Sequence, residues 1–263
     1  MKAKTPLAAA IVIAAFIVPL PTELGGSPGA STTPAVDLAS LPVSPRPALD
    51  VGAMEPLGPG RFLSRWTTVR VATGGRTRPS ATAPVIAELT ERTSEGTANA
   101  VPVLGSRPDA KGRIWVEVRL PVLPNGRFGW VRRTTLGGYE TVNTHLFVDR
   151  ERLRATLYRN GRAVLTAPVG IGARSSPTPR GEFMIRSELT DYGNPAYGPV
   201  AFGTTARSAT LTDWPGGGFV GIHGTDEPEL IPGRISHGCI RMTNADILRL
   251  ARLMPVGTPL TIT

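Results

Sequence analysis

A single cysteine, Cys239, stands among 263 residues, so the chain can build neither an internal disulfide framework nor a zinc site of several thiolates. It has no phosphate-loop pattern and no repeat of solenoid period, which argues against phosphate-loop nucleotide enzymes and against repeat arrays. Glycine (30) and proline (26) are instead abundant, about a fifth of the chain where roughly 12% is usual. With 41% hydrophobic residues a core can still form, so the composition favours a β-rich, turn-rich protein over a helical bundle. The length suits one large domain or two modest ones, at about 100–200 residues per domain.

The net charge of +9 is unevenly spread: −1 over residues 1–60, +8 over 61–139 and +2 over 140–263. So basic a middle segment suits an anionic polymer, whether nucleic acid, a membrane surface or an acidic cell-wall glycan. The N-terminus narrows the choice. Lys2 and Lys4 precede an uncharged apolar run from Leu7 to Leu20, the layout of an export signal. The run is shorter than the roughly 20 residues of a spanning helix, which leaves cleavage and an uncleaved membrane anchor both open. Residues 1–25 are therefore read as export signal or anchor, and the protein as exported to the wall, periplasmic or extracellular face. Nucleic acid is then out of reach, membrane contact is confined to the N-terminal segment, and an anionic wall polymer is the partner expected at the basic segment. Pro21 to Gly60 holds 8 Pro and 6 Gly in 40 residues and cannot bury enough surface to order itself, so residues 26–62 read as a disordered linker.

From Arg61 to Gly138 short β-type segments alternate with turns: Thr68–Ala72, Val85–Leu89, Ala100–Val103, Ile114–Arg119 and Gly129–Arg132. Gly74-Gly75, Pro108-Asp109 and Asn125-Gly126 punctuate them. Residues 63–138 resemble a bacterial Src-homology-3-like barrel. Trp66, Trp115 and Trp130 line either its core or a ligand groove. Further on, Leu153–Tyr158 and Ala163–Val169 flank Asn160-Gly161, a strong two-residue hairpin signal, and strands are expected at Gly181–Arg186, Phe219–His223 and Pro259–Thr263. Thr243 or Asn244 caps a helix through Ile247, Leu250, Ala251 and Met254, stopped by Pro255 and Gly257. Tyr192 to Trp214, long and rich in Gly, Pro and small residues, reads as a lid.

An exported protein with one unpaired thiol needs a reason for it. Cys239 lies in Ser236-His237-Gly238-Cys239-Ile240-Arg241-Met242, with His223 upstream in Gly221-Ile222-His223-Gly224-Thr225. An imidazole beside a thiol favours the nucleophilic thiolate, and Gly238 lets a carbonyl approach while its neighbours turn their amides inward. Amides of His237, Gly238 and Cys239 can then face a developing oxyanion. Residue types alone leave catalysis and an inert buried thiol both open.

Residues 143–263 resemble the L,D-transpeptidase catalytic domain, a β-sandwich cysteine enzyme of bacterial peptidoglycan. The blocks that carry the resemblance are the opening hairpin, Val169-Gly170-Ile171-Gly172 with Thr178-Pro179-Arg180-Gly181-Glu182-Phe183, the His223 and Cys239 segments, then Asn244, Asp246 and Gly257-Thr258-Pro259. The resemblance implies a mainly β chain: the small barrel, then a catalytic sandwich over 142–263 with one clear helix after the nucleophile. It implies that Cys239 attacks the carbonyl joining a diamino acid to D-alanine in a stem tetrapeptide. D-alanine leaves, and the thioester passes to an amine of a neighbouring stem. His223 is the implied base, with its ring held by the Gly224 carbonyl; with water as acceptor the same site is an L,D-carboxypeptidase.

Around this pair Ser236 either bonds near the site or shapes its loop, and His237 contributes main chain. Arg241 either clamps a substrate carboxylate or forms a structural ion pair. Tyr197 and Trp214 either face the substrate or belong to the core. His145 is read as an ordinary strand residue, and Asp226, Glu227 and Glu229 as a solvated acidic loop. No metal and no organic cofactor are expected. The rival readings are a non-catalytic wall-binding protein and a redox-sensing thiol.

Overall fold

The computed structural model describes residues 63–190, 193–210 and 217–263. The expected export segment 1–25 and linker 26–62 lie outside the described residues, as does the Trp214 end of the expected lid. No helix among the described residues is long and apolar enough to cross a membrane.

The first sheet is antiparallel throughout. Its strands are β1 (Ser64–Thr68), β2 (Thr73–Arg76), β3 (Val85–Leu89), β4 (Ala100–Pro108), β5 (Ile114–Arg119), β6 (Phe128–Arg132) and β7 (Glu140–Val142), in the order β3-β2-β6-β5-β4-β1-β7. One face is a Val-rich core of Val101, Val103, Val116, Val118 and Val131 with Leu89 and Leu120. On the other face strand register sets Arg107, Trp115 and Arg132 side by side. The Arg132 guanidinium lies 5.4 Å from the Trp115 ring and that of Arg107 4.9 Å from Trp130, and both indoles are buried. Trp115 also donates to Asp109 (3.1 Å), and the Trp66 ring occupies the space a side chain at Gly257 would need, against the second sheet. Trp115 and Trp130 are thus packed into the first sheet's arginine-lined face, and Trp66 packs against Gly257 of the second.

The strand expected at Thr68–Ala72 is corrected to Ser64–Thr68. Past Thr68 the amides of Arg70 and Val71 converge on the Thr135 carbonyl (2.9 and 3.2 Å), which turns the chain instead of extending the ladder.

The second sheet comprises β8 (Thr144–Asp149), β9 (Arg154–Arg159), β10 (Arg162–Pro168), β11 (Gly170–Gly172), β12 (Gly181–Thr190), β13 (Val200–Arg207), β14 (Phe219–His223), β15 (Gly233–Ser236), β16 (Ile240–Arg241) and β17 (Pro259–Ile262). The order is β10-β9-β8-β17-β12-β13-β14-β16-β11-β15. Strand β12 serves both halves: Gly181–Met184 pairs with β17, whereas Ile185–Thr190 pairs with β13. That switch lets Leu146, Val148 and Leu157 of one half share a core with Phe202, Ile222 and Ile240 of the other. The β9–β10 hairpin turns at Asn160 and Gly161 with φ of 50° and 76°, the left-handed pair a two-residue hairpin demands. Helix α1 (Asn244–Ala251) begins where Thr243 accepts from the Asp246 amide (3.1 Å), and it buries Ile247 and Leu250.

The expected lid is also corrected. Between Tyr192 and Trp214 lies β13, with every residue but Arg207 buried. A strand covered on both faces shows no alternation to read, and its flanking Gly and Pro gave it the look of a loop.

Candidate active site

Strands β14 and β16 run parallel with Ile222 opposite Ile240 and His223 opposite Arg241. Cys239, just before β16, is thereby set beside the strand that ends in His223. The Gly221 amide donates to Cys239 Sγ at 3.3 Å, a contact that favours the thiolate over the thiol. Cys239 and His223 are both nearly closed off from solvent, at 6% and 3% exposure.

His223 Nδ1 lies 2.6 Å from the Gly224 carbonyl oxygen. A carbonyl can only accept, so Nδ1 carries a proton, and Nε2 is the nitrogen left to exchange one with a reacting group. The 224–225 turn is itself pinned, because Asn244 Oδ1 at the head of α1 accepts from the Thr225 amide at 3.0 Å. Tyr197, closing a short 3-10 turn at Pro195–Tyr197, packs edge-on to His223 with ring centroids 4.8 Å apart.

Three hydroxyls hold the nucleophile loop by consecutive carbonyls. Ser176 donates to the His237 oxygen (2.6 Å), Thr178 to that of Gly238 (2.8 Å) and Ser236 to that of Cys239 (2.5 Å). Thr178 in turn accepts from the Gly172 amide (2.9 Å). Gly238 has φ of 127°, a conformation that suits glycine. In a trans peptide the carbonyl and amide point opposite ways, so fixing the Gly238 oxygen fixes the direction of the Cys239 N–H.

The model of the YkuD L,D-transpeptidase catalytic domain matches residues 143–262. YkuD of Bacillus licheniformis is 36% identical over 124 residues, 47% of this chain and 68% of its own length. YkuD of Bacillus subtilis is 35% identical over 122 residues, 46% of this chain and 67% of its own. The chain belongs to the YkuD family of L,D-transpeptidases. A crystallised L,D-transpeptidase of Enterococcus faecium is 25% identical and is matched over 46% of this chain and 50% of its own, so this chain spans about half its length; the TM-score is 0.37.

Within this YkuD-type domain the Gly238 amide differs from expectation. It donates to Ser236 Oγ (3.1 Å), so it is turned away from the role of oxyanion donor that the sequence suggested. Ser236 thus shapes the loop from both sides, bonding Gly238 N–H and Cys239 C=O. The His237 ring is exposed while its carbonyl is held. Arg241 meets Glu227 at 2.9 Å, which gives the guanidinium a carboxylate partner within the chain, while Asp226, Glu227 and Glu229 keep the exposed positions expected of a solvated acidic loop. Trp214 lies outside the described residues. His145 is buried, donates or accepts at Thr261 Oγ1 (2.7 Å), and burial lowers its pKa to about 4.

Ser176, Thr178 and Asn244 escaped the residue-by-residue reading of the chemistry. Thr178 and Asn244 do stand in the sequence blocks that carry the family resemblance, and only Ser176 had no such signal. Among the described residues no three His, Cys, Asp or Glu side chains gather as a metal site would require.

Proposed function

We propose that this protein is an exported L,D-transpeptidase that cross-links peptidoglycan through a thioester on Cys239. The observation that carries the reading is the pairing of a Gly221 amide on Sγ with an imidazole whose Nδ1 proton is committed to Gly224. His223 Nε2 takes the thiol proton, and Sγ bonds to the carbonyl carbon that joins the diamino acid to D-alanine. The oxyanion forms against the Cys239 amide, whose direction Thr178 sets. Collapse breaks the C–N bond, His223 returns the proton to the departing amine, and D-alanine leaves. The side-chain amine of a neighbouring stem then attacks the thioester and gives its proton to His223. The C–S bond breaks, the thiol is restored and an amide cross-link remains.

Export rests on Lys2, Lys4 and the apolar run Leu7 to Leu20. Residues 63–138 are read as a Src-homology-3-like barrel, and their basic balance supports an anionic wall polymer as ligand. Loss of pelleting with purified sacculi at low salt would remove that second role.

The test incubates the protein without residues 1–30, and its Cys239→Ala variant, with a disaccharide tetrapeptide while intact mass and products are followed. An adduct on the parent alone, with D-alanine and a cross-linked dimer, is the expected result. D-alanine and tripeptide without dimer would make the enzyme a carboxypeptidase. A folded protein with a reactive thiol, no adduct and no turnover would leave a wall-binding module.

A further inference from the structure

The hairpin tip between β3 and β4 is tightly built: the Thr93 amide bonds the Thr97 carbonyl (2.8 Å), the two threonine hydroxyls meet at 2.8 Å, and Gly96 has φ of 81°. Glu95 sits on this tip, where a carboxylate is ordinarily solvated, yet its side chain is only 1% exposed. It accepts from Arg186 Nη2 of β12 on both oxygens, at 2.8 and 2.9 Å, and the Arg186 side chain is 4% exposed.

Arg186 does not end the chain of contacts. Its guanidinium lies 3.9 Å from the Phe219 ring centroid, and that of Arg207 lies 4.2 Å from the same ring. Two cations on one aromatic ring repel each other, and Glu95 supplies the carboxylate bound to the more buried of them. Arg207 is held from the first sheet as well, because the Asn125 side chain accepts from its amide (2.9 Å) and donates to its carbonyl (2.7 Å).

Phe219 opens β14, two residues before the Gly221 amide that touches Sγ and four before His223. The ladder between β13 and β14 is irregular here, with a register shift between the Gly203–Gly221 and Arg207–Phe219 pairs. Backbone pairing alone therefore fixes the head of β14 less firmly than a regular ladder would, and the stack on Phe219 completes the job.

We infer that Glu95 is a positioning residue for the nucleophile: from the first sheet it balances the Arg186–Phe219–Arg207 stack and so holds β14 where the Gly221 amide meets Cys239 Sγ. The inference rests on the reading of Cys239 as nucleophile and makes the first sheet a working part of the catalytic unit, a role separate from the wall binding proposed above.

The test compares the full chain with Glu95→Gln and with the paired Glu95→Met/Arg186→Met, reading iodoacetamide alkylation of Cys239, then kcat and KM on the tetrapeptide. Glu95→Gln raises the charge of the stack by one; displacement of the Gly221 amide slows alkylation and lowers kcat by about tenfold, with KM within about twofold. The paired variant restores the original net charge and recovers alkylation to within about threefold of the parent. If Glu95→Gln does not fold, Glu95→Asp, which draws the charge back by one methylene, is read for the same slowing. Parent-like rates in the single variant would overturn the inference, as would a paired variant as slow as the single one. Faster alkylation would also overturn it, since that is what through-space loss of a negative charge does to a thiol. Alkylation reads the thiol without substrate, so failure of the parent to turn over tetrapeptide would defeat the transpeptidase reading without deciding this one.

Discussion

Replacing Thr178 by valine keeps the shape of a side chain that is 1% exposed and removes its hydroxyl. That hydroxyl serves two buried backbone groups, donating to the Gly238 oxygen at 2.8 Å and accepting from the Gly172 amide at 2.9 Å. Each group left unpaired costs about 1–3 kcal/mol, so the expected destabilisation is about 2–6 kcal/mol, read as a shift in the denaturation midpoint at constant slope. The catalytic consequence is separate. Without Thr178 the Gly238–Cys239 peptide loses the contact on its own carbonyl and is held only through its neighbours at Ser236, so the Cys239 N–H is less firmly aimed where an oxyanion develops. Loss of a whole oxyanion donor slows turnover about 10²–10³-fold, so a loosened one should slow acylation by at least about tenfold. Intact-mass kinetics at a temperature where the variant is fully folded measure this directly. A variant that is destabilised yet acylated at the parent rate would show that the hydroxyl serves the fold alone, and would refute the link drawn from carbonyl anchoring to oxyanion geometry.

His145 carries a pH prediction. Burial lowers its pKa from 6.5 to about 4, so between those values the unfolded chain takes up a proton that the folded chain refuses. Stability should fall by about 3 kcal/mol as pH drops through that window and level off below it; a denaturation series in which His145→Gln keeps the same slope would rule this out. Gly224→Ala would drive a Cβ into Asn244 Oδ1 and the Gly198 backbone, shifting the carbonyl that holds His223; a fall in kcat with the fold retained by circular dichroism is expected, and unimpaired turnover would count against the Gly224 contact. Glu227→Gln removes a half-exposed partner of Arg241 and should change stability by no more than about 1 kcal/mol. If the guanidinium receives a substrate carboxylate, KM for the tetrapeptide drops severalfold, whereas unchanged steady-state constants would assign Arg241 to the fold.

The features legible in the sequence are those that neighbouring residues decide. Asn160 and Gly161 adopt left-handed angles because a short polar side chain tolerates them and glycine has no Cβ to oppose them, Thr243 caps α1 because its hydroxyl reaches three residues on, and the Cys239 and His223 segments announce their chemistry by residue type. The strands that went unread have other causes. Strand β13 is buried on both faces and shows no alternation, while β11, β15 and β16 are two to four residues long and exist only through partners distant in the chain.

Tertiary structure alone decided how the site is held. The parallel pairing of β14 with β16 needs a crossover whose register no local pattern encodes, and it is what brings Sγ to the Gly221 amide. Ser176 and Thr178 reach the nucleophile loop from some sixty residues upstream, the Gly238 amide turns to Ser236, and Glu95 finds Arg186 across ninety-one positions. A hydroxyl, an amide or a carboxylate has no direction in a sequence. Its partner is settled when distant strands are packed and every buried polar group must find one.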